Sequence, residues 1–209
     1  MKKSFLNLLF VLISISYAQA FEHTALVLID MQDQFFERND NSDSEEVKTL
    51  IENNKEVLLW GVKNELPVLI FEYDGFGPTT ETLAHVYQDH QHKTVIKYRD
   101  GGFAILSDAK EEALKFLKSK GIENLIVMGI NGPYCVKSTV LGALENEFEV
   151  YTAGDIVADV NPNPPTFPDT NWWMTDQSLL HTYENYVEII DFFEEKYSVQ
   201  NNEHLARVE

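Results

Sequence analysis

The sequence predicts an α/β fold: a three-layer, doubly wound and mainly parallel sheet. Three observations predict it. Short continuous apolar runs at residues 25–29, 66–71 and 125–128 have the length of strands buried on both faces. Segments of helical period lie between the strand candidates. Strands alternating with helices imply parallel pairing through right-handed crossovers.

The first strand, 25–29, ends at Asp30. Ser42 with Glu45 three residues on has the capping-box pattern, and it opens a helix whose Val47, Leu50, Ile51, Val57 and Leu58 share one face. Gly61 lies near its end. The second strand is 66–71, and a shorter one, 94–96, ends at Lys97. Ser107 is the expected N-cap of a helix carrying Ala113, Leu114 and Leu117. Lys118 and Lys120 sit in its last turn and Gly121 stops it. Strand 125–128 leads into Gly129 and Ile130, and a helix begins at 133–135 and continues through Val136, Val140, Ala143 and Leu144. Residues 149–152 give another strand, and a helix is predicted over 175–186. Residues 161–173, with four prolines and two tryptophans, form the one irregular stretch: a surface loop, a lid or an oligomer contact.

The 209 residues suit one domain, spanning 21–209 once a leader is set aside. Lys2 and Lys3 precede an apolar run from Phe5 to Ile15, and Ala18-Gln19-Ala20 has the small-x-small pattern read by signal peptidase. The run is well short of the roughly 20 residues a membrane span needs. Residues 1–20 are therefore expected to be a cleaved signal peptide, and the protein to be periplasmic or secreted, with no membrane association after cleavage.

The chain carries 34 acidic and 16 basic residues, a net charge of −18, and the leader takes two of the basic ones. That argues against nucleic acid or an anionic membrane as a partner, since both are bound through basic patches. Solubility is the plain reading of such acidity. Cys135 is the lone cysteine, so no intramolecular disulfide forms, and a lone thiol in an oxidising compartment is a candidate reactive group.

Ligands of open parallel sheets bind beyond the carboxyl ends of the strands. Asp30, Lys97 and Cys135 all fall there. Each alone has an ordinary explanation as a helix cap, a solvated cation or a packed apolar residue. Together they form a nucleophile, a base and a cation, the parts needed for acyl transfer. A thiol at the N-terminal end of a helix, near an ammonium, is expected to favour the thiolate.

At these residues the sequence resembles the isochorismatase-like cysteine hydrolases, over about residues 25–187. Leu28-Ile29-Asp30-Met31-Gln32-Asp33-Gln34-Phe35 resembles the family's opening motif around its catalytic aspartate. Lys97, in a segment leading to Phe103, is similar to the family's lysine segment. Gly129-Ile130-Asn131-Gly132-Pro133-Tyr134-Cys135-Val136, followed by Ser138, Thr139 and Ala143, resembles its nucleophile loop. The resemblance implies Cys135 as nucleophile, Asp30 as general base and then acid, and Lys97 as their electrostatic organiser. It also implies a cis peptide at Ile130–Asn131, with the backbone N–H groups of Asn131 and Cys135 as the oxyanion hole. Pro133 departs from the family's usual aspartate or asparagine.

The nicotinamidase branch has an Asp-x-His…His metal site after the second strand. Here the stretch from Phe71 to Gly77 contains Asp74 but no histidine, and His85, His90 and His92 lack the branch's spacing. No metal or other cofactor is expected. The reading is amide hydrolysis of a small carboxamide or ureido substrate through a thioester. Phe35 and Phe103 are expected to wall the pocket, with Glu72, Tyr73, Tyr134 and Trp172 as further contributors. Vinyl-ether or ester hydrolysis, and a catalytically silent binding protein on the same scaffold, stay as alternatives. A redox-sensing thiol is disfavoured because no second cysteine is present to resolve it. Family members form dimers or larger assemblies, which leaves a homo-oligomer open.

Overall fold

The computed structural model describes residues 21–206 apart from 22, 39, 105–107 and 169–177. The leader region 1–20, the N-cap candidate Ser107 and the pocket candidate Trp172 lie outside the described residues.

Thr24–Ile29 (β1), Val68–Tyr73 (β2), His92–Lys97 (β3), Asn124–Ile130 (β4), Glu149–Ala153 (β5), Val157–Ala158 (β6) and Leu180–Tyr183 (β7) are the strands. They form one sheet in the order β3-β2-β1-β4-β5-β7, with β6 paired to the end of β4, and every pair is parallel. All side chains of β1 and β4 are buried, as their unbroken apolar runs demand of strands covered on both faces. At the edge, β3 buries Val95 and Lys97 and exposes Ile96, the alternation of a strand with one wet face.

The helices are Asp33–Glu37 (α1), Glu45–Lys63 (α2), Glu81–Tyr87 (α3), Asp108–Ser119 (α4), Lys137–Glu145 (α5) and Tyr186–Ala206 (α6). A π-helical turn, Gly132–Val136, precedes α5. α2 packs on β1 and against α3 and α6, while α4 covers β3 and α5 covers β5. Gly61 permits the close approach of α2: a Cβ there would fall 2.3 Å from Leu26 Cδ1. The chain steps outward from β1 to β3, then returns to the far side of β1 as β4. That reversal is a topological switch point between β1 and β4, the place where sheets of this class open a crevice at their carboxyl edge.

Two local expectations need correction. Ser44, not Ser42, caps α2, its hydroxyl accepting from the Val47 N–H at 3.1 Å. Residues 180–183 of the predicted 175–186 helix are strand β7, and the helix starts at Tyr186. Leu180–Tyr183 pairs with Val150–Ala153, and the cross-strand ladder outweighs the helical spacing of its apolar residues. Two short helices, α1 and α3, were not anticipated, being too brief for periodicity to register.

Candidate active site

Asp30 leaves β1 in the left-handed region, at φ 54°, a conformation aspartate tolerates better than most residues. The turn is tight, with the Gln32 N–H donating to the Asp30 carbonyl at 2.7 Å. Beside it stands Gly129, the penultimate residue of β4, whose φ is 125° and whose missing Cβ would fall 2.1 Å from the Ile29 carbonyl oxygen. Glycine thus lets the ends of β1 and β4 meet, which places Asp30 and the loop to Cys135 side by side. The Ile130–Asn131 peptide is cis.

Lys97 arrives from two strands away. It is the last residue of β3, in register with Tyr73 of β2, and its Nζ lies 4.4 Å from the centre of the Tyr73 ring. Its ammonium is 2.7 Å from Asp30 Oδ2 and donates to the Arg99 carbonyl at 3.2 Å and to Cys135 Sγ at 3.4 Å. Asp30 and Lys97 have no solvent-exposed surface, and Cys135 retains 4%. The three residues predicted from strand ends do converge, with the ammonium between carboxylate and sulfur.

Burial pushes the Asp30 carboxyl up to about 6, against the opposing pull of Lys97 and of its hydrogen bond with Cys135. Burial, followed by the charge of Asp30, pushes the Cys135 thiol up to about 12, with Lys97 opposing. This reverses the expected thiolate. The ammonium does favour the anion, but desolvation and a neighbouring carboxylate outweigh it. Above pH 6 the resting pair is a carboxylate and a neutral thiol.

A cleft of about 400 Å³ opens over the sulfur, lined by Phe35, Arg38, Tyr73, Phe76, Asp100, Asn131, Tyr134, Cys135 and Asn161. Phe35 stacks on Phe76 at 4.0 Å, and Tyr134 is 54% exposed. Asn131 Oδ1 accepts from the Val160 N–H at 3.3 Å. Asn41 Nδ2 donates to the carbonyls of Val160 and Pro162, both at 2.9 Å, holding Asn161 at the rim. Two pocket expectations fail. Phe103 is fully buried against Phe71 and Phe148, because the chain turns it into the core after Gly102. Glu72 points off the cleft and accepts from Thr79 N and Oγ1 at 2.7 and 2.8 Å, bracing the loop after β2.

Arg38, Phe76, Asp100 and Asn161 were not anticipated. The strand-end rule that selected Lys97 also reaches Asp100, three residues later, whereas Phe76 and Asn161 owe their place to loop folding. Gln32 was also passed over. Fully buried, it accepts from the Tyr73 N–H at 2.8 Å and donates to the carbonyls of Tyr73, at 3.0 Å, and Gly77. No cluster of three or more metal-ligating side chains occurs among the described residues. His90 instead contacts the Leu66 carbonyl and His85 pairs with Glu81.

The Isochorismatase domain pattern matches residues 24–167, which takes in Asp30, Lys97 and Cys135. The chain belongs to the isochorismatase family. Isochorismatase family protein 2A of Dictyostelium discoideum is 24% identical over 143 residues, 66% of this chain and 68% of that one. Two solved structures share the isochorismatase-like fold. A cysteine hydrolase from Pseudomonas syringae pv. phaseolicola 1448A superposes with a TM-score of 0.65 at 18% identity, covering 84% of this chain and 94% of that one. N-carbamoylsarcosine amidase from Thermoplasma acidophilum gives 0.58 at 16% identity, covering 77% and 95%.

Proposed function

We propose that this chain is a cysteine-dependent amidohydrolase, cleaving a C–N bond of a small carboxamide or ureido compound through a thioester. One observation carries the reading: Lys97 Nζ lies 2.7 Å from Asp30 and 3.4 Å from Cys135 Sγ, beneath a cleft that reaches the sulfur. Because the thiol is neutral at rest, Asp30 removes its proton as Sγ attacks the carbonyl carbon. The backbone N–H groups of Asn131 and Cys135 receive the oxyanion, where one such donor is worth about 3–4 kcal/mol of barrier. As the tetrahedral intermediate collapses, the C–N bond breaks and Asp30 protonates the departing nitrogen. Water then loses a proton to Asp30 as it attacks the thioester, and the sulfur leaves and recovers that proton. One amide and one water become one acid and one amine. The retained cysteine favours C–N cleavage over the vinyl-ether and ester alternatives, and an amidase is among the proteins that share the fold.

The test is ammonia release from a panel of primary carboxamides and ureides, with product formation from vinyl ethers and esters followed alongside, comparing the wild type with Cys135→Ala. Wild-type turnover, an acyl adduct on Cys135 by intact mass, and a loss of at least about 10³-fold in the variant are expected. Full activity in Cys135→Ala rejects the thioester, and turnover of vinyl ethers or esters alone moves the assignment to the other branch.

Export belongs to the same proposal, with the mature chain starting at Phe21. That residue is buried and packs edge-on against Trp60 at 5.5 Å. N-terminal sequencing of protein recovered outside the cytoplasm should begin at Phe21, whereas a retained Met1 overturns the leader assignment.

A further inference from the structure

Of the described residues that line the cleft, Asp100 and Arg38 alone are acidic or basic. Asp30 and Lys97 lie below it, buried and paired with one another. The field met by a ligand in the cleft is therefore set largely by Asp100 and Arg38. Asp100 Oδ1 is 4.0 Å from Cys135 Sγ. Arg38 follows α1 and makes no ion pair among the described residues, in a chain where acidic residues outnumber basic ones 34 to 16.

A carbon attacked by Sγ carries its other substituents within reach of a carboxylate that close to the sulfur. An ionised carboxylate can only accept hydrogen bonds. It stabilises an N–H or a positive charge beside the scissile carbonyl, gives nothing to an ester oxygen, and repels an anion. Arg38 supplies the complementary charge elsewhere in the same cleft, and its planar fork suits a carboxylate. The Phe35–Phe76 stack, Tyr73 and Tyr134 give the same cleft apolar walls.

We propose that Asp100 and Arg38 select the substrate by polarity: Asp100 admits an N–H-bearing or cationic group at the sulfur, and Arg38 holds an anionic end. The substrate is then a small amide or ureide that also bears a carboxylate. This rests on the amidohydrolase reading for its reaction but not for its test.

The probes are two methanethiosulfonates, cationic 2-aminoethyl and anionic 2-sulfonatoethyl, each of which transfers its thioalkyl group to Cys135 Sγ and releases methanesulfinate. Modification rates are measured by mass spectrometry in the wild type, Asp100→Asn and Arg38→Gln. Both positions are exposed, so thermal midpoints should stay at the wild-type value. The ratio of cationic to anionic rate is the readout, because a change in thiol ionisation moves both rates together. In Asp100→Asn the ratio should fall about tenfold at low salt, the scale of one unit charge near the reacting atom, and less at high salt. In Arg38→Gln the anionic reagent should slow several-fold while the cationic one does not. A ratio within twofold of wild type in Asp100→Asn overturns the role of Asp100, and an unchanged anionic rate in Arg38→Gln overturns that of Arg38. A shifted ratio without amide turnover leaves the polarity selection standing and rejects the amidohydrolase reading. Amide turnover with unshifted ratios does the reverse.

Discussion

Lys97 Nζ lies 2.7 Å from the Asp30 carboxylate, and neither side chain has any surface exposed to solvent. A charge pair so placed costs several kcal/mol per ion to desolvate, so it contributes little net stability. Its consequence is chemical: it holds a buried carboxylate on the same ammonium that donates to the thiol.

The pH dependence follows from the raised Asp30 carboxyl. Below about 6 the group is protonated and cannot accept the Cys135 proton. We expect kcat/KM to have an acid limb near pH 6, about two units above an ordinary aspartate, falling tenfold per unit below it. Stability moves the opposite way. The folded state holds this proton more tightly than the unfolded chain does, so the contribution is complete below about 3.8 and is lost as pH rises through about 6. Tm of the wild type relative to Asp30→Asn, followed from pH 4 to pH 7, should decline across that window. A flat difference would reject the assignment of the titration to Asp30.

Removing Lys97 should be more costly than removing the pair. Lys97→Met leaves a buried carboxylate without its cation and is expected to lose about 3–5 kcal/mol by urea denaturation. The acid limb of any residual activity should move above 6, because the attraction that lowers the Asp30 carboxyl is gone. The double variant Asp30→Leu/Lys97→Met should recover most of the stability and none of the activity.

Cys135 should alkylate slowly. With its thiol pushed up to about 12, iodoacetamide labelling near pH 8 should lag well behind a free cysteine of pKa about 8.5. Asp30→Asn removes a charge that raises the thiol and should therefore speed labelling while it abolishes hydrolysis. Lys97→Ala should slow labelling further. Fast labelling of the wild type at neutral pH would mean a thiolate already present, and would remove the need for Asp30 as base.

Gln32 holds a cleft wall through its three hydrogen bonds to Tyr73 and Gly77. Gln32→Ala leaves the partners of a fully buried amide without bonds, at roughly 1–3 kcal/mol for each group left unsatisfied. We expect a lower urea midpoint and a raised KM, since Tyr73 both lines the cleft and lies under Lys97. An unchanged midpoint would show that water replaces the amide.

The fold and the candidate trio were legible in the chain because both depend on one-dimensional pattern. Continuous apolar runs in β1 and β4 announce strands covered on both faces, and strand ends locate Asp30, Lys97 and Cys135 on one edge. Tertiary contacts decided what pattern does not encode. Leu180–Tyr183 became a strand through its ladder with β5, Phe103 turned inward against Phe71, and Glu72 turned aside to brace Thr79. Asp100 and Arg38 line one cleft although they stand 62 positions apart in the sequence. The thiol's ionisation was decided there too. A helix terminus and a lysine can be read from sequence, but the burial and the neighbouring carboxylate that outweigh them exist only once β1, β3 and β4 join one sheet.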